Sequence, residues 1–490
     1  MQVLIASSEV VPFAKTGGLA DVAGALPLAL AREGVQASII LPCYQGMEKK
    51  WSPKDTGVRA QVPILIGDQV VEKQGQILET RLNDAVPVYF VKCDEYYDRP
   101  TLYGTPEGDF PDNAARFTFF SRATLQFLKA RGLKPDVIHC HDWQSALIPV
   151  YLKTLLKDDP LLGGVKTVFT VHNLGYQGSF WKWDMKLIGL DWEWFTPDYL
   201  EFYGQVNFLK GGLLFSDLIN TVSKGYAKEI QTAEYGCGLE GVLQSRQKDL
   251  FGLLNGIDYT IWNPATDSKL AATYSAKNLK GKAACKRELQ KRFGLPEEPR
   301  APLVGCISRL ADQKGFDLIE RAFDQMMAAG VQFVLLGTGE KHYHALFEDL
   351  ARRYPKQAGI KIAYDDTLAH QIEAGADFFL MPSLYEPCGL NQMISLKYGT
   401  IPVVRATGGL DDTIQNYSPR AGKGNGFKFQ EYSSAAMLKK LLEAVKLYQK
   451  SPKAWEQLVK KAMQEDHSWG AAAKRYLDLY QRALSKKAEA

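Results

Sequence analysis

The sequence predicts an α/β protein of two doubly wound domains, each a parallel sheet covered by helices, facing each other across a central cleft. Three observations predict it. Short apolar runs of strand length, rich in Val, Ile and Phe, recur through the 490 residues. Helix-period stretches follow many of them, the alternation expected of parallel sheets with helical crossovers. A polar, irregular stretch at 263–282 separates the runs into two sets, and the length admits two domains of roughly 200 residues or more.

The strands of the first set are expected at 3–6, 37–41, 86–91, 137–140, 167–171 and 218–222. Residues 255–262 close that set. A helix is expected at 283–293, and Pro296 and Pro302 punctuate the chain before the next strand. The second set falls at 303–307, 332–336, 361–364, 377–381 and 401–404. The division is therefore 1–255 and 256–468, followed by a terminal helix over 469–490. In that helix Trp469, Ala472, Tyr476 and Tyr480 recur at three- and four-residue steps, which places them on one face.

Composition narrows the function. Hydrophobic residues are 46% and charged residues 23%, which excludes a mainly disordered, collagen-like or coiled-coil chain. The net charge is +4 and no long basic block occurs, which argues against nucleic acid as partner. No run approaches 18 apolar residues, so no membrane span is expected. The first ten residues lack the basic and apolar regions of a secretory leader. Seven cysteines, an odd number without any CxxC, fit buried free thiols in a reduced cytoplasm.

Ligands of open parallel sheets bind beyond the carboxyl ends of the strands, so the residues just past each strand are the candidates. Glu9, Lys15, Gly17 and Gly18 come after the first; Asp142 and His172 with Asn173 come after two others. In the second set come Arg309 and Lys314, then Gly337, Gly339 and Glu340, then Tyr385, Glu386, Cys388, Gly389 and Leu390, and finally Thr407, Gly408 and Gly409. Polar and glycine residues gather at one edge of both sheets, as one shared polar ligand would require. Glycines at a helix start let backbone N–H groups approach an anion, though a tight turn explains a Gly-Gly pair equally well. The runs TGGLAD at 16–21 and TGGLDD at 407–412 echo each other, which suggests a shared job.

Three cations, Lys15, Arg309 and Lys314, suit a diphosphate. No Asp-x-Asp occurs to hold an escorting metal, and neither a Walker A run nor a GxGxxG after the first strand supports P-loop or NAD(P) chemistry. His139 and His141 share a strand face, but no third ligand accompanies them; one buried and one site-facing histidine is the simpler expectation. Glu386 has two readings: a carboxylate for sugar hydroxyls or developing positive charge, or a cap on a helix beginning near Leu390. Trp181, Trp183, Trp192 and Trp194, with Tyr199, Phe202 and Tyr203, are either a carbohydrate lip or a small packed subdomain.

Seven motifs then stand in order: KTGGLADV at 15–22, HDW at 141–143, VHN at 171–173, NGID at 255–258, SRL with DQKG at 308–315, EPCGL at 386–390 and TGGL at 407–410. Together they resemble the bacterial glycogen synthase and plant starch synthase family along nearly the whole chain. The resemblance implies the two-Rossmann-domain GT-B glycosyltransferase fold, with the last helix crossing back to the first domain. It implies metal-independent, retaining transfer of glucose from ADP-glucose to the non-reducing end of an α-1,4-glucan, without a cofactor.

By the same resemblance Lys15 contacts the sugar nucleotide, and Gly17, Gly18, Asn255, Tyr385, Cys388, Gly389, Leu390, Thr407, Gly408 and Gly409 line the donor. Arg309 and Lys314 hold its diphosphate and Glu386 its glucose. His172 lies beside the anomeric carbon, and Asp142 faces donor sugar and acceptor. The wider glycosyltransferase pattern has a second glutamate eight residues after the first, where this chain has Ile394. Rival readings are another two-domain sugar-nucleotide enzyme such as an epimerase, a phosphorylase, or a glucan-binding homologue without activity. The intact set of Lys15, Arg309, Lys314 and Glu386 argues against the last.

Overall fold

The computed structural model describes residues 1–66, 69–105 and 107–486. They form two compact units. The first comprises Met1–Val222, Ala227–Leu253 and the segment from Trp469; the second comprises Ser223–Tyr226 and Leu254–Ser468. Both are doubly wound α/β units.

The first unit carries β1 (Gln2–Ala6), β2 (Gln36–Pro42), β3 (Lys54–Ile66), β4 (Gln69–Leu82), β5 (Val86–Lys92), β6 (Val137–His141), β7 (Lys166–Val171), β8 (Leu218–Thr221) and β9 (Leu250–Gly252). Their order in the sheet is β9-β8-β7-β6-β1-β2-β5-β4-β3. The central strands are buried almost end to end, β6 at every residue, because a parallel strand is covered on both faces, and its polar residues His139 and His141 must find partners inside. From β1 the chain winds outward through β2 in one direction and later through β6, β7 and β8 in the other. The topological switch thus falls between β1 and β6, which pair in parallel from Val3–Val137 to Ala6–Cys140.

The sheet is not wholly parallel, in contrast to the expectation from sequence. β3 and β4, absent from the predicted strands, pair antiparallel with each other and β4 pairs antiparallel with β5. They obey the other strand rule: Ala60, Val62 and Ile64 are buried while Arg59, Gln61 and Pro63 between them are exposed. Edge strand β3 places Pro63 where no further ladder is required. Gln126, on the helix Asn113–Ala130, bonds the backbone of Gln61 in both directions at 2.9 and 2.7 Å.

The last helix, Trp469–Ser485, belongs to this unit. Its predicted face holds: Trp469, Ala472, Tyr476 and Tyr480 are buried in one cluster with Val3, Ile5, Leu26 and Leu30. Residues 487–490 of the predicted helix lie outside the described residues.

The second unit carries β10 (Leu303–Ile307), β11 (Gln332–Gly337), β12 (Ala358–Ile362), β13 (Phe378–Met381), β14 (Ile401–Arg405) and β15 (Phe427–Phe429). The order is β12-β11-β10-β13-β14-β15, with every neighbour parallel. Its switch point lies between β10 and β13. Two strands differ from expectation, and one of them, β15, is absent from the predicted strands. β12 ends at Ile362 rather than spanning 361–364, because its register against β11 runs from Phe333–Ala358 to Gly337–Ile362. The small residue Gly359 makes this possible, since a Cβ there would come within 2.6 Å of the Phe293 ring. Tyr364 is left 83% exposed just past the strand.

Tyr480→Ala is expected to cost about 3–5 kcal/mol, as large-to-small changes in a filled core do. Scanning calorimetry should show the first unit's transition move down and the second unit's stay in place. Equal shifts in both would contradict the assignment of the last helix to the first unit.

Candidate active site

The first unit's contribution is built at its switch point. After β1 the chain buries Glu9, and this carboxylate organises the loop beyond it. Its oxygens accept from the backbone N–H of Thr16, the Gly17 N–H at 3.1 Å, Thr16 Oγ1 at 2.6 Å and Tyr103 Oη at 2.7 Å. Gly17 caps the helix Gly18–Arg32 in an extended conformation, φ −149°. Neither Gly17 nor Gly18 has a positive φ, and a Cβ on either would meet no atom within 4 Å. Turn geometry therefore does not require these glycines. What they preserve is open space beside a helix N-terminus, the form an anion cradle takes. Lys15 is exposed there, its Nζ on both oxygens of Asp21 at 2.7 and 2.9 Å.

After β6 comes Asp142, with φ +55° in the left-handed region, where a non-glycine residue costs about 1–3 kcal/mol. The ladder holds it there: Asp142 N donates to Thr170 O at 2.9 Å, and Asp142 Oδ1 accepts the His172 N–H at 2.7 Å. The structure thus ties two predicted site residues to each other. Desolvation pushes the Asp142 carboxyl from 3.8 up to about 7, against the His172 N–H bond, with the charge of Glu9 adding to the rise.

The His172 ring meets His141, Nε2 to Nδ1, at 2.9 Å. His141 lies in turn against His139, ring centroids 4.1 Å apart. His139 is held by Tyr480 Oη at 2.8 Å and Thr170 Oγ1 at 2.6 Å. Burial lowers all three imidazoles, His172 to about 3, so they are neutral at ordinary pH. The His139–His141 pair is buried whole, so the expectation of one site-facing histidine does not hold; that position belongs to His172. Both nitrogens of His139 already have protein partners, which leaves it no lone pair for a metal.

The second unit's contribution lies across β10, β13 and β14. Arg309 is exposed just past β10, its Nη2 3.4 Å from Gln313 Oε1. Gln313 also donates to the Tyr385 carbonyl at 3.1 Å, which links the loop after β10 to the loop after β13. Lys314 Nζ donates to Glu386 Oε2 at 2.7 Å, and Ser383 Oγ reaches the same oxygen at 3.1 Å. Glu386 is buried, and both partners meet its Oε2. It caps no helix: the helix Asn391–Tyr398 starts after Leu390 without a side-chain cap. Asn391 Nδ2 instead donates to Ile307 O at 2.8 Å and ties that helix to the end of β10.

The remaining predicted residues wall this loop. Gly389 turns it with φ +66°. Cys388 is buried, its thiol pushed up to about 12 by desolvation, and it bonds Asn255. The buried Asn255 Oδ1 has no partner among the described residues, an acceptor lacking its donor. Gly408 and Gly409 come after Thr407 at the start of the short helix Gly408–Thr413. Here the glycines are required: Gly408 has φ +42°, and a Cβ on Gly409 would fall 1.9 Å from the Cys388 carbonyl oxygen. Gly409 N donates to Glu386 O at 3.0 Å. The two Gly-Gly pairs, expected to share a job, do different ones. The first leaves space, and the second closes packing under Glu386.

Sequence reasoning assigned no role to Glu9, Gln313 or Ser383, the three side chains that orient Lys15's loop, Tyr385 and Glu386. Each lies within four residues of a strand end or inside a quoted motif, but only the fold shows its partner. Asp312, Glu340 and His342 stand close enough to share an ion. All three are exposed, and Asp312 already accepts from Tyr343 Oη at 2.7 Å.

Asp142 supplies a test of this site's electrostatics. Its pKa in the fold lies above the ordinary 3.8, so its ionised form opposes folding, and stability is lost as pH rises toward 7. Asp142→Asn keeps an acceptor for the His172 N–H and removes the charge. Calorimetry should show this variant melting above the parent at pH 8, with the gap closing as pH falls toward 4. A variant less stable than the parent at pH 8 would contradict the desolvation of Asp142.

Comparison with known proteins shows the family. The family model described as starch synthase catalytic domain matches residues 2–245, and that for glycosyl transferases group 1 matches 287–462. The chain is 50% identical to glycogen synthase of Koribacter versatilis, covering 100% of this chain and 99% of the relative. It is 48% identical to glycogen synthase of Syntrophotalea carbinolica, covering 99% of each. The catalytic domain of starch synthase IV from Arabidopsis thaliana, solved with ADP and acarbose, superposes with TM-score 0.88 at 37% identity over 99% of both chains. Sucrose-phosphate synthase from Thermosynechococcus elongatus, at 15% identity and TM-score 0.59, shares the fold alone. The chain belongs to the glycogen and starch synthase family, hexosyltransferases of the GT-B fold.

Proposed function

We propose that this enzyme transfers glucose from ADP-glucose to the non-reducing end of an α-1,4-glucan with retained configuration, in the cytoplasm and without metal or cofactor. The observation that carries the reading is the Lys314–Glu386 pair, with Arg309, at the switch point of the second unit. A cation beside a carboxylate at the carboxyl edge suits a ligand that is phosphate at one end and sugar at the other. The ADP in the solved starch synthase IV supports the nucleotide. Among the described residues no helix is long and apolar enough to cross a membrane, and all seven cysteines are free thiols, six of them buried.

In this reading Arg309 and Lys314 receive the negative charge that gathers on the departing diphosphate, the work a metal does elsewhere. Lys15 and the open amides near Gly17 and Gly18 meet the sugar nucleotide. Glu386, fixed by Lys314 and Ser383, accepts from glucose hydroxyls, and the unpartnered Asn255 Oδ1 takes a further donor. Neutral His172 offers its dipole to an oxocarbenium-like centre, and Asp142 orients sugar and acceptor.

Retention then results from attack on the face the diphosphate leaves. The bond from the anomeric carbon to the phosphate oxygen breaks, and the bond to the acceptor oxygen forms on that face. The acceptor proton passes to the departing phosphate oxygen. Two observations favour this over a covalent intermediate. Glu386 is committed to Lys314, which lowers its nucleophilicity, and Asp142 Oδ1 is committed to the His172 N–H.

Arg309→Ala and Lys314→Ala should each lower turnover by roughly 10²–10³-fold with the fold retained, since preorganised cations at developing charge are worth that much. ADP release with a maltooligosaccharide acceptor reads this, and near-parental turnover in either variant would overturn the diphosphate assignment. With a fluorinated donor, mass spectrometry of the intact protein should show no glucosyl adduct. A stable adduct on Asp142 or Glu386 would replace same-face attack with a double displacement.

A further inference from the structure

The loop that carries Glu386 is held by its backbone carbonyls. Gly409 N donates to Glu386 O at 3.0 Å, and Gln392 Nε2 donates to Cys388 O at 3.0 Å. Both donors follow the loop in the chain. The carbonyl between them, that of Pro387, is met from a distant segment: Ser223 Oγ donates to it at 2.5 Å. Ser223 and Pro387 are both buried, and a buried carbonyl left without a donor is costly. Ser223 comes just after β8, which ends at Thr221.

Two residues on, the same segment engages the other loop of the second unit's site. Gly225 N donates at 2.9 Å to Oδ2 of Asp412, the last residue of the run TGGLDD. A Cβ on Gly225 would fall 2.5 Å from the Gly408 carbonyl oxygen, so only glycine seats the segment there. Ser223–Tyr226 accordingly belongs to the second unit, although the chain up to Val222 and from Ala227 to Leu253 belongs to the first.

We propose that Ser223 is a positioning residue for Glu386, and that residues 223–225 form a clasp holding the EPCGL loop against the TGGLDD helix. The hydroxyl has one proton to give and lone pairs to receive. Its proton goes to Pro387 O. A lone pair takes the Tyr226 N–H at 3.0 Å, which caps the short helix Lys224–Glu229. With the clasp closed, Glu386 is fixed through its own carbonyl by Gly409, through the next carbonyl by Ser223, and through its side chain by Lys314 and Ser383. A carboxylate that must meet the hydroxyls of one sugar in one pose needs such fixing, because small misplacements at a reacting centre are expensive. The clasp rests on the reading of Glu386 as the carboxylate for the donor sugar and deepens it.

The test separates the clasp from a mere helix cap. Glycine caps a helix nearly as well as serine but has no hydroxyl. Ser223→Gly should lower turnover with a maltooligosaccharide acceptor by roughly 3- to 10-fold, the worth of one hydrogen bond. Its Kd for ADP, which brings no glucose to Glu386, should stay at the parental value. Ser223→Thr keeps the hydroxyl and should restore most of the turnover. Gly225→Ala improves helix propensity, yet it should also lower turnover, because its Cβ meets the Gly408 oxygen. In the free protein, hydrogen exchange over residues 386–392 should quicken in Ser223→Gly and stay unchanged over β6 and β7. Matching unfolding curves establish that the fold is kept, and Gly225→Ala carries the test if Ser223→Gly does not fold. Parental turnover and exchange in Ser223→Gly, or a loss of ADP affinity equal to the loss of turnover, overturns the clasp. Failure of the parent to release ADP from ADP-glucose would instead overturn the donor reading, while hydrogen exchange tests the clasp without any substrate.

Discussion

A parallel sheet must hide both faces, and this constraint decides where the chain can keep polar chemistry. The strands β1, β6, β10 and β13 are buried almost throughout because helices cover both sides of such a sheet. Polar side chains are pushed to the edges. At the carboxyl edge two neighbouring strands whose connections run in opposite directions leave their loops splayed. Each unit has such a point, β1 beside β6 and β10 beside β13. The catalytic candidates sit accordingly: Lys15, Asp142, Arg309, Lys314 and Glu386 all come after one of those four strands, and His172 comes after the adjoining β7.

Placing carboxylates at such an edge creates a second requirement. Glu9 and Glu386 are buried, Asp142 is nearly so, and a desolvated carboxylate without donors is costly. Each is answered by its own surroundings: Glu9 by the amides and hydroxyl of the Thr16–Gly17 turn, Asp142 by the His172 N–H, Glu386 by Lys314 and Ser383. The answers differ in strength. A full cation meets Glu386, whereas Asp142 has backbone donors and another carboxylate nearby, so desolvation prevails there and its pKa rises to about 7. The groups that position the site are therefore the groups that make its burial tolerable.

Much of this is readable from residues, and the exceptions have physical causes. Buried parallel strands announce themselves as unbroken apolar runs. The strands at 54–66 and 69–82 obey alternation instead, and a search for runs passes over them. The start of β12 escapes such a search because Ala358 and Gly359 look like loop residues until Phe293 is seen to fill the space above Gly359. The terminal helix is legible because its apolar positions keep helical spacing. In the site, residue types and their place after strands can be read, and motif likeness assigns roles to them. What cannot be read is pairing between distant segments: Gln313 to Tyr385, Glu9 to Tyr103, His139 to Tyr480.

The two Gly-Gly pairs show why a motif alone cannot settle such a question. Each pair comes after a strand, opens a helix and sits in nearly the same six residues. Around Gly17 and Gly18 an added Cβ would touch nothing, and the backbone needs no left-handed turn, so glycine there serves something outside the unit's own packing. At Gly408 the backbone does need it, and at Gly409 the Cys388 carbonyl occupies the place of the missing side chain. The same absence of a side chain keeps one surface open and lets another close. In the second case closure brings the Gly409 N–H to the carbonyl of Glu386, so the glycine fixes the backbone of the carboxylate beside it.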